Sequence, residues 1–463
     1  MRITNNMMIN NTLLSLNRNM EKLDTLYMQM TTLKKIQRPS DDPIIAGRAL
    51  KFRTRISETQ QFQSNVEQAL SWMSSTETAI DNIESILQDM RTLANQGAND
   101  TLGISEQKDI VDQLEELKKQ LINEGNVTYE GNRYIFSGFR TDTKLVYDED
   151  NTENFRITQS FTKDDIEEIS VPGDNMYWNS SLPDPTSNTP PTTAYRIRLG
   201  YDDVTLNSIT GLGLTVTAMD STSSTPDAYA PPAGEVYFLE DTGEIIFNSA
   251  DISSIPDFTV QYDKQDFKEG DLNPIFYFEC EDLATGEVYN SPFDLDKINE
   301  KIEYEVGINN KIEVNVLGKD ILTTDLMRDI DEIVKLVSET YNAQVKAEEL
   351  SKEGEDGEKI AEFIKNSMPN ISEAFTELIG KLDKHLSQVS TERAGLGSRM
   401  KRLELINNRL EDDELNFQEL NNDNEGIDLE EVYTEFSMQQ VIYNSALNAT
   451  ARIIQPTLLD FIQ

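Results

Sequence analysis

The chain has 463 residues, with 41 Lys and Arg against 83 Asp and Glu, a formal charge of -42 and one cysteine. That length allows two or three domains with sizeable cores, a lone Cys280 excludes an intramolecular disulfide, and so negative a surface repels phosphate backbones, which excludes nucleic acid as a partner. No run of about 18 apolar residues is present to span a membrane, and "MRITNNMMINNT" at the start has neither an apolar core nor a small-residue cleavage site, so export without a cleaved signal peptide is expected.

Charge is unevenly placed. Residues 141–324 hold 36 acidic and 11 basic side chains, a balance of -25 (11 - 36). In residues 1–40 the sign reverses: Arg2, Arg18, Lys22, Lys34, Lys35 and Arg38 outnumber Glu21 and Asp24.

The first predicted element is a helix. Ile9, Leu13, Leu16, Met20, Leu23, Tyr27 and Met30 follow a 4, 3 alternation, the spacing of a coiled-coil seam. "RPSDDP" then interrupts it. Pro39 disfavours helix at Arg38 and is expected to end the first rod; Ser40, Asp41 and Asp42 offer caps, with Asp42 the expected N-cap and Pro43 the first helical position of the next. Replacing Pro39 and Pro43 by Ala is therefore expected to fuse the two helices. The rhythm resumes at Ala69, Trp72, Thr76, Ala79, Ile83, Ile86, Met90 and Leu93. "NQGANDTLGIS" at 95–105 reads as a turn, and Ile110, Leu114, Leu117 and Leu121 mark a shorter helix.

In the middle of the chain the period changes to two. "AYRIRLGY", "LTVTAM", "GEVYFL", "GEIIFN", "FTVQYD", "PIFYFEC" and "KIEVNVLG" read as strands, with a hairpin turn at Asp241 to Gly243 and a Pro-, Ser- and Thr-rich loop at 180–193. Helical periodicity returns at Met327, Ile330, Val334, Val337 and Tyr341, is broken by "SKEGEDGEK" at 351–359, and continues through Ile371, Phe375, Leu378, Leu382, His385, Val389, Glu392, Leu396, Arg399, Leu403, Ile406 and Leu410. A last amphipathic segment reaches the C-terminus and carries Val432, Phe436, Leu447, Ile454, Leu458 and Leu459.

These patterns predict an α+β fold: long coiled-coil-like helices from both chain ends form a stalk, and a β-rich outer domain is inserted between them. The expected domains are 1–43 with 427–463 as an inner coiled-coil layer, 44–140 with 325–426 as a helical rod, and 141–324 as the acidic outer domain. An apolar seam on an isolated helix gains nothing until a partner covers it. The basic N-terminal segment and a C-terminal one bearing Asp428, Glu430, Glu431 and Glu435 are natural partners.

No residue pattern supplies chemistry, so an enzyme, a cofactor and a metal are not expected. His385, the only histidine, sits at a seam position, where a polar residue sets register or faces a crossing helix. Glu392 and Arg399 on the same stripe mark where the seam turns to solvent or pairs across subunits. Cys280 reads as a small apolar strand residue. The runs "DEDNTE" (148–153) and "EGEDGE" (353–358) lack the spacing of a calcium loop and read as solvated surface. The terminal "IIQPTLLDFIQ" reads as protein-facing and not as a membrane helix.

"MRITNNMM", "RPSDDP", "YEGNRYIFSGFRTDT" (129–143), "GLGSRMKRLE" (395–404) and "ATARIIQPTLLDFI", in that order, resemble the hook-filament junction family of bacterial flagella, the third hook-associated proteins (FlgL), and more distantly flagellin. Where flagellin would carry a pattern like "DDAAG", this chain has "SDDPIIAG", and Pro43 favours the junction family. The resemblance implies an inner layer lining an axial channel, a second helical layer and an outer domain. It implies a structural protein that self-assembles into a helical ring between the first hook-associated protein and flagellin. Export would use the flagellar type III apparatus with a FlgN-type chaperone. The place would be the flagellum, extracellular or, for an internal flagellum, periplasmic. The assembly seam would comprise Ile9, Leu13, Leu16, Met20, Leu23, Tyr27, Met30, Val432, Phe436, Leu447, Ile454, Leu458 and Leu459, and Arg38 to Pro43 the joint between layers. Two alternatives stand beside it: a flagellin-like filament subunit, and a soluble helical scaffold or signalling protein whose coiled coil would be stable in the monomer.

Overall fold

The amphipathic stripes at both ends fold as long helices, and the period-two middle folds as sheets, in a computed structural model that describes residues 5–171, 192–223, 227–290, 301–353, 358 and 370–459. Two compact units divide the chain: 1–68 with 305–311 and 402–463, and 69–304 with 312–401.

The first unit contains α1 (Asn5–Thr32), the start of α2 (Pro43–Gly97), the end of α5 (Ile371–Glu425) and α6 (Leu429–Leu459). Helices α1 and α6 pack side by side, and the short antiparallel bridge between Lys34 and Gly426 fixes them as antiparallel. Helix α1 does not reach Pro39. It ends at Thr32, and Leu33 takes a left-handed φ of 58° with its N–H bonded to Gln29 O at 2.8 Å, the usual way a helix closes its last carbonyls. Pro39 therefore does not mark the end of α1, which stops seven residues before it. Residues 33–42 are already non-helical, and fusing α1 to α2 would require re-coiling all of them. The start of α2 follows expectation: Asp42 Oδ1 accepts from the Ile44 and Ile45 amides at 2.8 and 3.1 Å, and Pro43 occupies the first helical position.

In the second unit α2 continues, followed by α3 (Ile104–Gly125), then strands, then α4 (Thr324–Leu350) and the first part of α5. Ala69, Trp72, Thr76, Ala79, Ile83, Ile86 and Met90 are buried along α2, as are Phe375, Leu378, Leu382, Val389 and Leu396 along α5. The sequence stripes thus mark the packed faces. Helix-to-helix ion pairs at the rim join Arg91 to Asp383 at 2.5 Å, Lys118 to Asp331 at 2.5 Å and Arg393 to Asp81 at 2.6 Å.

Two short strands, β1 (Thr128–Tyr129) and β2 (Arg133–Tyr134), pair antiparallel. The remaining strands are β3 (Asn151–Phe161), β4 (Glu167–Val171), β5 (Thr192–Arg198), β6 (Val204–Thr210), β7 (Thr215–Met219), β8 (Glu235–Leu239), β9 (Glu244–Phe247), β10 (Phe258–Phe267), β11 (Glu279–Asp282), β12 (Val288–Tyr289), β13 (Glu303–Gly307) and β14 (Asn310–Glu313). One sheet has the order β12-β11-β3-β10-β6 and is antiparallel throughout. The other, β4-β5-β9-β8-β7, is antiparallel except for the parallel pair β7 and β8. Ile157, Phe161, Val260 and Tyr262 from the first sheet share one core with Ile197, Val236, Phe238 and Ile245 from the second, so the sheets pack face to face. Strands β8 and β9 are buried on both faces, because Tyr237, Leu239 and Ile246 enter a second cluster, which is why "EVYFL" and "EIIF" read as unbroken apolar runs.

Their turn requires Gly243, whose φ is 60° and where a Cβ would collide with the Tyr201 carbonyl oxygen. "PIFYFEC" is not one strand: Pro274–Phe276 form a 3-10 turn, started by Pro274 and capped by the Asn273 side chain, and pairing begins at Glu279. Sequence reading also missed β1 to β4, β6, β12 and β13. Residues 180–191 of the Pro-rich loop and 354–357 of the second acidic run lie outside the described residues.

Candidate assembly surface

Along α1 the positions less open to water include Ile9, Thr12, Leu16, Asn19, Leu23, Leu26 and Met30, a 3, 4 alternation, with Gln29 beside Met30. On α6 Val432, Phe436, Gln439, Tyr443, Ala446 and Thr450 alternate 4, 3. Gln439 Nε2 lies 3.3 Å from both Asn19 O and Asn19 Oδ1, and the rings of Tyr27 and Phe436 stand 6.5 Å apart. The intramolecular seam thus shares Ile9, Leu16, Leu23 and Met30 with the expected one, but its other positions are Thr12, Asn19 and Leu26. Leu13, Met20 and Tyr27 instead remain 41%, 58% and 54% exposed. The two polar positions hid this frame, since an apolar count favours the neighbouring stripe. On α6 Leu447 is exposed, together with Leu429, Tyr433, Met438 and Val441. The side chains of Ile454, Leu458 and Leu459 lie outside the described residues. The pair of terminal helices therefore carries two apolar faces, one spent on its partner helix and one open.

The joint is more elaborate than "RPSDDP". Asp41 Oδ2 accepts from the Gln37 and Arg38 amides at 3.0 and 2.8 Å, and those amides, Arg38 first, hold its carboxyl below the usual range. Opposite lies the turn between α5 and α6. Glu425 sits there almost fully buried, with Arg53 Nη2 at 2.5 Å, Lys34 Nζ at 3.4 Å and Asn421 Nδ2 at 2.8 Å. The Lys35 amide donates to Glu425 O at 2.7 Å, and Asn424 Nδ2 donates to Ile45 O at 3.0 Å. Burial pushes the Glu425 carboxyl up, but the hydrogen bond from Asn421 and the guanidinium of Arg53 outweigh it and leave it below the usual range. One carboxylate thus ties the α1–α2 connector to the α5–α6 turn. Sequence reading missed it, because nothing local to "NDNEGID" announces a partner almost 400 residues away.

In the second unit a buried ion network joins β5 to α4 and α5. Arg196 Nη1 meets Glu244 Oε1 at 2.6 Å, Arg198 Nη1 meets Glu332 Oε2 at 2.9 Å and Lys381 Nζ meets Asp329 Oδ1 at 3.2 Å. His385 Nε2 lies 3.2 Å from Asp329 Oδ2, which gives the only histidine a structural partner. Burial raises the Asp329 carboxyl, but His385, Arg198 and Lys381 overcome it and hold it far below the usual range. Glu332 is held at about 2, burial being outweighed by Arg196 and then Arg198 and Lys381. Arg328 adds a clamp on neutral acceptors, its guanidinium donating to the carbonyls of Leu199, Tyr201, Thr242 and Gly243.

Glu392 and Arg399 are half-buried, and Arg399 Nη1 donates to Asn315 O at 3.2 Å. Cys280 is buried in β11 with its thiol pushed up to about 12 by burial, an unreactive setting. Among the described residues no group of three or more His, Cys, Asp or Glu could hold a metal, and no described helix is long and apolar enough to cross a membrane.

The chain matches the bacterial flagellin N-terminal helical region over residues 3–141 and the bacterial flagellin C-terminal helical region over 379–462. Both ends of the chain are thus similar to the helical ends of bacterial flagellins. It is 29% identical over 136 residues to a flagellin of Clostridium tyrobutyricum, a match covering 29% of this chain and 36% of that protein. It is also 29% identical over 115 residues to the flagellar hook-associated protein 3 of Escherichia coli K12, covering 25% of this chain and 36% of that protein. The chain thus spans little more than a third of the length of these curated relatives. The solved flagellar junction protein FlgL of Legionella pneumophila aligns over 82% of this chain and 100% of its own at 14% identity and a TM-score of 0.33. Both matched flagellin regions lie in the terminal parts of the chain, which include α1, α6 and the joint.

Proposed function

We propose that this chain is a structural axial subunit of the bacterial flagellum, acting at the junction between hook and filament and self-assembling there into a helical ring. The observation that carries this reading is the pairing of flagellin regions at both ends with an apolar face left open along α1 and α6. Exposed apolar stripes of this extent mark interaction sites, and covering them yields roughly 25 cal/mol per Å². In this reading Leu13, Met20, Tyr27 and Leu447 contact neighbouring subunits, and Arg38 to Pro43 with Glu425 set the angle between inner and outer helices. The first hook-associated protein and flagellin are the partners on either side, and a FlgN-type chaperone covers α6 before type III export.

A second reading, a flagellin-like filament subunit, is favoured by the Clostridium tyrobutyricum relative. Immunogold labelling of this chain on whole flagella separates the two. The junction reading predicts one cluster of gold at the hook end of each filament, whereas label along the filament supports the second and overturns the first.

A further inference from the structure

We propose that successive copies of this chain meet through a basic face at the start of α2 and an acidic face near the end of α5; this rests on the self-assembly reading above and names its contact surface. From Pro43 to Ser57 the chain carries Arg48, Lys51, Arg53 and Arg55 and no carboxylate. That is a local excess in a chain of net charge -42. Ile44 and Leu50 there are each 68% exposed. Arg48 and Lys51 follow Ile44 by four and seven residues, so all three share one helical stripe.

Between Glu411 and Glu435 the chain holds 11 carboxylates and no Lys or Arg. Leu415, 65% exposed, is framed there by Glu411, Asp412 and Glu419, four and three residues before it and four after. Within one copy the two regions touch through Arg53 and Glu425 at 2.5 Å and through Gln60 and Glu414 at 2.7 Å, which leaves Arg48, Lys51, Asp412 and Glu419 at the surface.

Each face has an aliphatic centre and charges of one sign, and the signs are opposite. A second copy is the occupant that carries both the matching carboxylates and the matching leucine. Two copies of so acidic a chain repel each other overall, so they require a local patch of opposite sign to approach. The contact joins different patches, and such a contact repeats into a ring or a helix instead of closing as a dimer.

The test uses full-length chains expressed in a strain lacking this protein, with the fraction of hooks bearing filaments counted by electron microscopy and folding checked by circular dichroism. The R48E/K51E and D412K/E419K chains each lower that fraction at least about tenfold, and the chain with all four changes restores it to within about twofold of the unaltered protein. Full attachment with either double variant overturns the interface, as does a folded fourfold variant that fails like its halves. Failure of the unaltered chain to restore filaments sinks the junction reading and the interface with it. As a second measurement, flagella from cells making both Ile44→Cys and Leu415→Cys chains are treated with copper phenanthroline as oxidant. A disulfide-linked dimer of the two supports the contact, and its absence refutes it.

Discussion

Arg198 Nη2 lies 2.6 Å from Asp329 Oδ1, and the two side chains are only 6% and 3% exposed. The pair joins β5 to α4 inside the second unit, where removing Arg198 leaves the buried Asp329 with only Lys381 and His385 beside it. Arg198→Ala is therefore expected to destabilise the protein by an amount towards the lower end of about 3–5 kcal/mol. Replacing both by apolar residues of similar volume, Arg198→Met with Asp329→Leu, is expected to cost less, with Lys381 falling back on Glu332 and Glu377. Urea unfolding followed by circular dichroism checks both. A single variant as stable as the unaltered chain contradicts the buried-pair account.

The same network sets an acid limit. Glu332 titrates at about 2 in the folded chain, against 4.5 for an unperturbed glutamate, and Asp329 is likewise depressed. Depressed carboxylates add stability that is fully present above their unfolded values and is lost as pH falls through their folded ones. Stability from this network should be flat from pH 7 to about pH 5, then decline from about pH 4.5 towards pH 2. Chemical denaturation across that range reads it. A decline that starts near neutrality would implicate other groups.

Leu33 and Asp42 bound the connector between α1 and α2 in opposite ways. A leucine at φ 58° is strained by about 1 kcal/mol, so Leu33→Gly is expected to leave stability unchanged or raise it. Asp42→Ala removes the acceptor of two amides and is expected to cost about 1 kcal/mol. Thermal melts of the two variants should shift in opposite directions or, for Leu33→Gly, not at all. Pro39→Ala with Pro43→Ala is expected to leave residues 33–42 non-helical by hydrogen exchange, because the break begins at Leu33.

Glu425→Gln keeps the shape of the clamp and removes its charge. With Arg53 and Lys34 partly in solvent, the expected loss is about 1–3 kcal/mol. Faster amide exchange at Lys35 would report that the connector has come away from the α5–α6 turn. Unchanged exchange there would show that Glu425 does not hold it.

The sequence made the long helices and their buried stripes readable, because twelve positions from Ile371 to Leu410 keep one period and packing follows that period. Strands β5 and β7 to β10 were readable for a similar reason, through runs of Val, Ile, Tyr and Phe between turn residues. Strand β3 was not, since "NTENFRITQSF" begins with polar residues and buries little more than Phe155, Ile157 and Phe161. The α1 seam was displaced by one position at three places because Thr12 and Asn19 carry no apolar signal. Glu425, Arg328 and the Arg198–Asp329 pair escaped for a different reason. Their meaning lies in partners distant along the chain, which periodicity does not encode.

The most direct test of the junction reading is electron microscopy of a strain in which this gene is deleted, with flagellin measured in the culture medium. The account predicts hooks that lack attached filaments and flagellin lost to the medium. Filaments of normal number and length on that strain would contradict it.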